Sequence, residues 1–255
     1  MSSIGRFLEF SVRTPDILDS LHFYKTLGFE ELTSSDIWPH KYAVVSDGAL
    51  SIGLHDREFD DPALTFVQPE LARHARRMSD HGFDFSHMQL GEEIFNELRL
   101  QDRDHHTIMM LEARTFYGAD EDDNDSLLGS WFEVTLPVRD AMRSARFWAP
   151  IAPVMLSMRE EPTPHLRFDA GGIAIGLSES IALSGPSLCF KCRDRDAVVA
   201  VCERHGHKTE KYPGYEGAFR AIQAPEGTTL YLFDEDFLGE AIVVDESDDL
   251  SEYPG

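Results

Sequence analysis

Two glutamates pose the chemical question in this chain. Glu9 lies in Phe7-Leu8-Glu9-Phe10-Ser11-Val12-Arg13, and Glu133 lies in Phe132-Glu133-Val134-Thr135-Leu136. Both stretches read as strands, so Ser11 and Arg13 share the face of Glu9, and Thr135 shares that of Glu133. An acid inside an apolar strand is costly to bury unless it is paired, ligated or solvated. Ionised, it can hold a cation or accept from a hydroxyl. Isolated among apolar groups its pKa rises, and it becomes a hydrogen-bond donor or a general base. Asp16, Ser20 and Phe23 follow Glu9 as Asp140, Ser144 and Phe147 follow Glu133, so the chemistry recurs together with its surroundings.

Each acidic strand runs into a helix. In the first, Thr14 is expected to cap, Pro15 to take the first helical position and Asp16 to complement the dipole. Ile17, Leu18, Leu21, Tyr24 and Leu27 recur at helical spacing, and Gly28 closes the helix. A short strand (29–32) and a hairpin turned at Asp47-Gly48 follow. The order then repeats: strand 63–67, a helix from Pro69 to Gly82, and strands 83–87, 95–101 and 107–111. In the second half, strands are expected over 131–136, 187–192, 217–223 and 229–233, a hairpin over 166–168 and 173–177, and helices over 139–148 and 196–205. Four anchors tie the halves at a near-constant offset: Glu9 with Glu133, Ile52-Gly53-Leu54 with Ile175-Gly176-Leu177, His81-Gly82 with His205-Gly206, and Gln101 and Thr107 with Gln223 and Thr229. This predicts an internal duplication, with domains at 1–113 and 131–238, a linker at 114–130 and an acidic tail at 239–255.

The 255 residues carry a formal charge of −23. That balance repels phosphate backbones and anionic lipid, which argues against nucleic acid and membrane surfaces as partners. No apolar run approaches the roughly 20 residues of a membrane span. The first residues lack the apolar core of a signal peptide, and the expected location is the cytoplasm. The acidic run 120–125 and the acids of the tail read as solvated segments. Cys189 and Cys192 suggest a redox or zinc pair, but three residues apart on a strand they face opposite sides. With Cys202 they read as buried free thiols of a reducing compartment.

Val12-Arg13-Thr14-Pro15-Asp16 leading to Phe23-Tyr24, the segment Asp47-Gly48-Ala49-Leu50-Ser51-Ile52-Gly53-Leu54-His55, and Ala224-Pro225-Glu226-Gly227 before a last strand together resemble the vicinal oxygen chelate superfamily, the glyoxalase, bleomycin-resistance and extradiol-dioxygenase group. The resemblance implies an α+β fold of four βαβββ modules, paired into two cup-shaped domains. It also implies a divalent metal in the cup. The implied ligand positions are Glu9, Gly53, Ala63 and Met109 in one copy and Glu133, Gly176, Ser187 and Tyr231 in the other. One carboxylate per copy falls short of the about three protein ligands that a catalytic ion needs, so no metal is expected. The alternative is a divalent ion or an acid–base couple at Glu9 and His55, since His55 shares the face of Gly53. Its counterpart is Ser178.

Without a metal, Arg99 is a candidate to ionise Glu9, and Arg167 to face Glu133. Trp38, His40 and Trp131 are candidate cup walls. His105-His106 reads as a solvated turn. The expected function is a glyoxalase- or bleomycin-resistance-like protein that binds a small organic molecule in each cup. Its net charge would favour cationic ligands at long range. The alternatives are a metal-dependent lyase, isomerase or dioxygenase, and a scaffold whose cups are filled by side chains. Homodimers are compatible with the fold, although a tandem chain can pair its modules internally.

Overall fold

The computed structural model describes residues 4–33, 40–113, 126–161, 163–211 and 219–235. Trp38, the acidic run 120–125 and the acidic tail lie outside the described residues. The chain forms two eight-stranded sheets, each built from two βαβββ modules. The first sheet holds β1 (Arg6–Arg13), α1 (Ile17–Thr26), β2 (Glu30–Leu32), β3 (Tyr42–Ser46) and β4 (Ser51–His55), then β5 (Ala63–Val67), α2 (Leu71–Asp80), β6 (His87–Gln89), β7 (Glu97–Gln101) and β8 (Thr107–Leu111). The second holds β9 (Ser130–Pro137), α3 (Ala141–Trp148), β10 (Val154–Arg159), β11 (His165–Asp169) and β12 (Ala174–Ser178), then β13 (Ser187–Cys192), α4 (Arg195–Arg204), β14 (Thr209–Glu210), β15 (Phe219–Gln223) and β16 (Thr229–Asp234).

Strand order is β2-β3-β4-β1-β5-β8-β7-β6 in one sheet and β10-β11-β12-β9-β13-β16-β15-β14 in the other. The acidic strands β1 and β9 therefore lie at the centre. Each pairs parallel with the last strand of its own module and antiparallel with the first strand of the next. A register shift on β1 falls between Phe7 and Glu9, and one between β9 and β13 falls at Cys189 and Phe190. Such bulges re-aim side chains, and here they lie beside the two acids.

The first helix starts later than the sequence suggests. Asp16, not Thr14, is the cap: its carboxylate accepts from Leu18 N at 3.0 Å and Asp19 N at 3.2 Å. Thr14 instead braces the turn through Asp16 and Ser20. Asp140 and Asp194 cap α3 and α4 the same way. Gly28, Gly82 and Gly206 follow the ends of α1, α2 and α4 with positive φ, the conformation in which glycine terminates a helix.

One apolar core runs through both halves, from Phe10 and Tyr24 to Trp148 and Phe190. The seam between the halves is reciprocal. Ser20 and Tyr24 of α1 donate to Glu226, in the turn before β16, at 2.8 and 2.6 Å. Ser144 of α3 donates to Asp104, and Trp148 Nε1 to Asp102 at 3.4 Å, in the turn before β8. Backbone bonds from Ile4 to Ile151 and from Phe7 to Gly171 close the same boundary. His106 is part of it. Only His105 is solvated, whereas His106 is buried with Nδ1 2.8 Å from Asp102. Among the described residues, no helix is long and apolar enough to cross a membrane.

Candidate functional site

The concave face of each sheet carries its glutamate at the floor. Glu9 is fully buried. Its Oε1 accepts from Ser11 Oγ at 2.8 Å and meets His55 Nε2 at 2.8 Å, while Oε2 accepts from the Tyr42 hydroxyl. A carboxylate only accepts, so His55 carries hydrogen on Nε2 and turns Nδ1 to His40 Nε2 at 2.9 Å. Burial first, then His55 and Arg57, push the pKa of His40 down to about 4. Burial and the charge of Glu9 push the Tyr42 phenol far above its usual range. The sequence-derived pair of Glu9 and His55 is thus in contact, and Tyr42 joins it from the neighbouring strand, opposite His55.

Glu133 has a different company. Thr135 Oγ1 donates to Oε1 at 2.6 Å, His165 Nε2 lies 3.0 Å from Oε1, and Arg167 Nε lies 2.8 Å from Oε2. Burial works to raise its pKa, but His165, Thr135 and Arg167 together bring it below the usual carboxylate value. The Arg167 guanidinium also stacks 3.9 Å over the Phe132 ring and donates to the Phe132 carbonyl. The Arg167 contact was legible in the sequence, and His165 was not. His165 pairs with Ser178 as Tyr42 pairs with His55, so the second half holds its imidazole where the first holds a phenol.

The remaining candidates divide. Arg99 does lie on the cup face, opposite Met109, but it pairs with Glu97 and not with Glu9. Glu97 also takes Arg57 at 3.2 Å, and Phe59 packs edge-on to His55 with ring centroids 5.6 Å apart. Arg13 ends its strand at the sheet rim and pairs with exposed Glu58 at 3.1 Å, outside the cup. Met109 is buried in the apolar wall. Ser187 turns its hydroxyl to the Gly185 carbonyl at 2.7 Å. Trp131 faces the shared core against Phe190, so Phe132 replaces it as the cup wall. Tyr231 lines the second cup and donates to the Ala182 carbonyl at 3.2 Å.

The second cup encloses a cavity of about 120 Å³. Its rings come from Phe132, Phe219, Tyr231 and Phe233, and its polar lining includes Glu133, Arg159, His165 and Ser178. Register explains the difference between the cups. Glu97 and Arg99 lie opposite Leu111 and Met109, and Phe219 and Ala221 lie opposite Phe233 and Tyr231. The second cup therefore has a ring and a methyl where the first has a carboxylate and a guanidinium. Cys189 lies on this side of its strand, 3.2 Å from Thr135, with burial pushing its thiol up. Cys192 faces the other way, to the Leu128 carbonyl, and all three thiols are free.

The residues present do not fit the divalent metal that the resemblance implies. Both oxygens of Glu9 and both nitrogens of His55 are engaged within the protein, and Glu133 already faces a guanidinium. Among the described residues, no three His, Cys, Asp or Glu side chains converge. A side chain at the second ligand position would also clash. A Cβ on Gly53 would lie 2.2 Å from a Glu9 oxygen, and one on Gly176 would lie 2.1 Å from a Glu133 oxygen.

No family model matches the sequence, and no curated protein matches it. Solved structures do match across most of the chain. The E323L mutant of homoprotocatechuate 2,3-dioxygenase from Brevibacterium fuscum aligns with TM-score 0.60 and 14% identity, over 92% of this chain and 73% of that one. The 2,3-dioxygenase LapB from Pseudomonas sp. KL28 gives 0.61 and 11%, over 94% of each. BphC, a halotolerant catechol dioxygenase, gives 0.57 and 12%, over 96% of this chain and 90% of that one. With its two sheets of paired βαβββ modules, the chain has the vicinal oxygen chelate fold in the two-domain arrangement of the extradiol dioxygenases.

Proposed function

We propose that the chain binds a small organic molecule in its C-terminal cup, and that the N-terminal cup is occupied by its own side chains. The observation that carries this reading is the contrast between the cups. Among the described residues, Arg57, Phe59, Glu97 and Arg99 meet inside the first, and an aromatic-lined cavity lies in the second. Apolar walls with a few placed polar groups are what a small-molecule site requires. The reading takes the expectation of one ligand per cup down to one per chain. In the test, a small-molecule library is screened by thermal shift against wild type and Ala182→Phe, which puts a ring where Phe59 stands in the first half. Ligands that stabilise wild type alone support the reading. Equal shifts in both proteins refute it.

A second reading, a metal-dependent enzyme, draws on the dioxygenase activities named for the structural neighbours. The contact that favours it is Glu9–His55, a buried carboxylate–imidazole pair. It requires both residues to exchange their present partners for the metal. Metal analysis of protein purified without an affinity tag decides the matter. Stoichiometric metal that disappears in Glu9→Gln would replace the first reading.

A further inference from the structure

We infer that His207 is a proton-sensitive latch on the seam between the halves: mild acid releases it from α1, while the matching contact of Phe83 with α3 holds. The inference is independent of what either cup binds.

The duplication supplies the comparison. His81-Gly82-Phe83 follows α2 as His205-Gly206-His207 follows α4, and an offset of 124 takes Phe83 to His207 and Phe23 to Phe147. Both pairs meet edge-on across the seam. Phe83 meets Phe147 with ring centroids 5.3 Å apart, and His207 meets Phe23 at 4.7 Å. The same backbone bond sets both turns, from Phe83 N to the Met78 carbonyl at 3.1 Å and from His207 N to the Cys202 carbonyl at 3.0 Å. One seam thus carries a titratable ring where the other carries a hydrocarbon ring.

The imidazole is held as a donor. Thr26 Oγ1 gives its hydrogen to the Phe23 carbonyl at 2.7 Å, so it accepts from His207 Nε2. A proton would add at Nδ1. The ring of His205 lies nearly parallel to that of His207, with centroids 6.4 Å apart, and His22 precedes Thr26 by one turn on the same face of α1. These two imidazoles gain charge in the same pH range. Burial first, then His205 and His22, lower the pKa of His207. The neighbouring carboxylates have partners of their own: Glu31 has Lys25, Glu203 has Thr209, and Glu226 has Ser20 and Tyr24. Arg204 donates to the Ala200 carbonyl, and Lys208 and Glu210 are exposed. A neutral His207 therefore favours the closed seam. As pH falls through the free imidazole value of about 6.5, the open form takes the proton first, and the contact is lost.

The test follows amide hydrogen exchange in the full chain at about pH 7.5 and about pH 5.5, on either side of the free imidazole value, with the intrinsic rate divided out. Wild type, His207→Phe and His207→Gln are compared. On acidification of wild type, peptides from α1 and from the turn after α4 should lose at least about threefold in protection relative to peptides from α2 and α3, as a local opening requires. His207→Phe copies the other seam and should keep its protection at the lower pH. His207→Gln keeps an N–H for Thr26 but does not titrate, so it should also keep its protection, and it serves alone if the Phe variant does not fold. A loss in His207→Gln equal to that in wild type overturns the inference. So does a wild type in which acid affects both seams alike, or neither.

Discussion

Replacing Glu133 with Gln would leave Arg167, His165 and Arg159 facing a neutral amide. Removing one partner of a buried ion pair costs about 3–5 kcal/mol, because the other charge stays buried and unanswered. We expect a loss of that size in urea denaturation, and partial recovery in the double variant Glu133→Gln/Arg167→Met. An equal loss in single and double variants would show that the pair contributes only shape. Acid should act through the histidines first. Burial, then Arg77, lowers the pKa of His74 to about 4, and His40 is likewise lowered to about 4. The unfolded value is about 6.5, so the unfolded chain takes up these protons first as pH falls. Stability then declines from about pH 6.5 to about pH 4. The depressed Glu133 adds stability above the unfolded carboxylate value, and this is lost at lower pH as the folded value is crossed. The urea midpoint of His40→Gln/His74→Gln should change less between pH 6.5 and 4; an unaltered slope would assign the loss elsewhere. At this scale Glu9 and Glu133 were legible because each repeats at one place in the duplication. The expected strand 166–168 leaves out His165, which is the first residue of β11. Yet the offset of 123 that takes His55 to Ser178 also takes Tyr42 to His165, and that register was the signal available. Arg57 and Phe59 reach the first cup from a loop, whose conformation no periodicity reports.

The central strands work only because the adjacent strand gives way at a glycine. Gly53 and Gly176 lie where a Cβ would meet a glutamate oxygen at 2.2 and 2.1 Å. Gly176→Ala should therefore cost about 1–3 kcal/mol, the range of overpacking in a filled core. The added variant Glu133→Ala should cost less in that background than in wild type, because the clash is then absent. Strict additivity of the two, measured by denaturant unfolding, would deny the contact. Most elements could be read from the chain because period and caps agree with the fold. Edge strands were the exception. Val154–Arg159 forms β10, but Val-Met-Leu-Ser-Met-Arg has no clean alternation, and an edge strand is set by its neighbour β11 more than by its own pattern. The start of α1 moved from Thr14 to Asp16 for a related reason. Both residues can cap, and only the turn decides between them.

Across the whole molecule the halves are joined reciprocally. The helix of each half reaches the last turn of the other, Ser20 and Tyr24 to Glu226, and Ser144 and Trp148 to Asp104 and Asp102. With one apolar core through both, the chain should unfold in a single calorimetric transition. Asp102→Asn and Glu226→Gln should each lower its midpoint without splitting it. Two transitions in wild type would show that the seam is weak. None of this was visible in the sequence. The duplication was legible, but no periodicity or spacing ties Asp102 or Glu226 to a helix of the other half.

That reciprocity has a consequence for the first cup. A half that supplies the second half's seam is needed for the second cup to keep its shape, whether or not it holds a ligand of its own. In the first cup Arg57 meets Glu97 and Phe59 meets His55, while the helix and last turn of the same half hold the other half in place. Under the proposed reading, the second cup is the binding site and the first half serves as its support through the seam of Asp102 and Asp104 with Trp148 and Ser144.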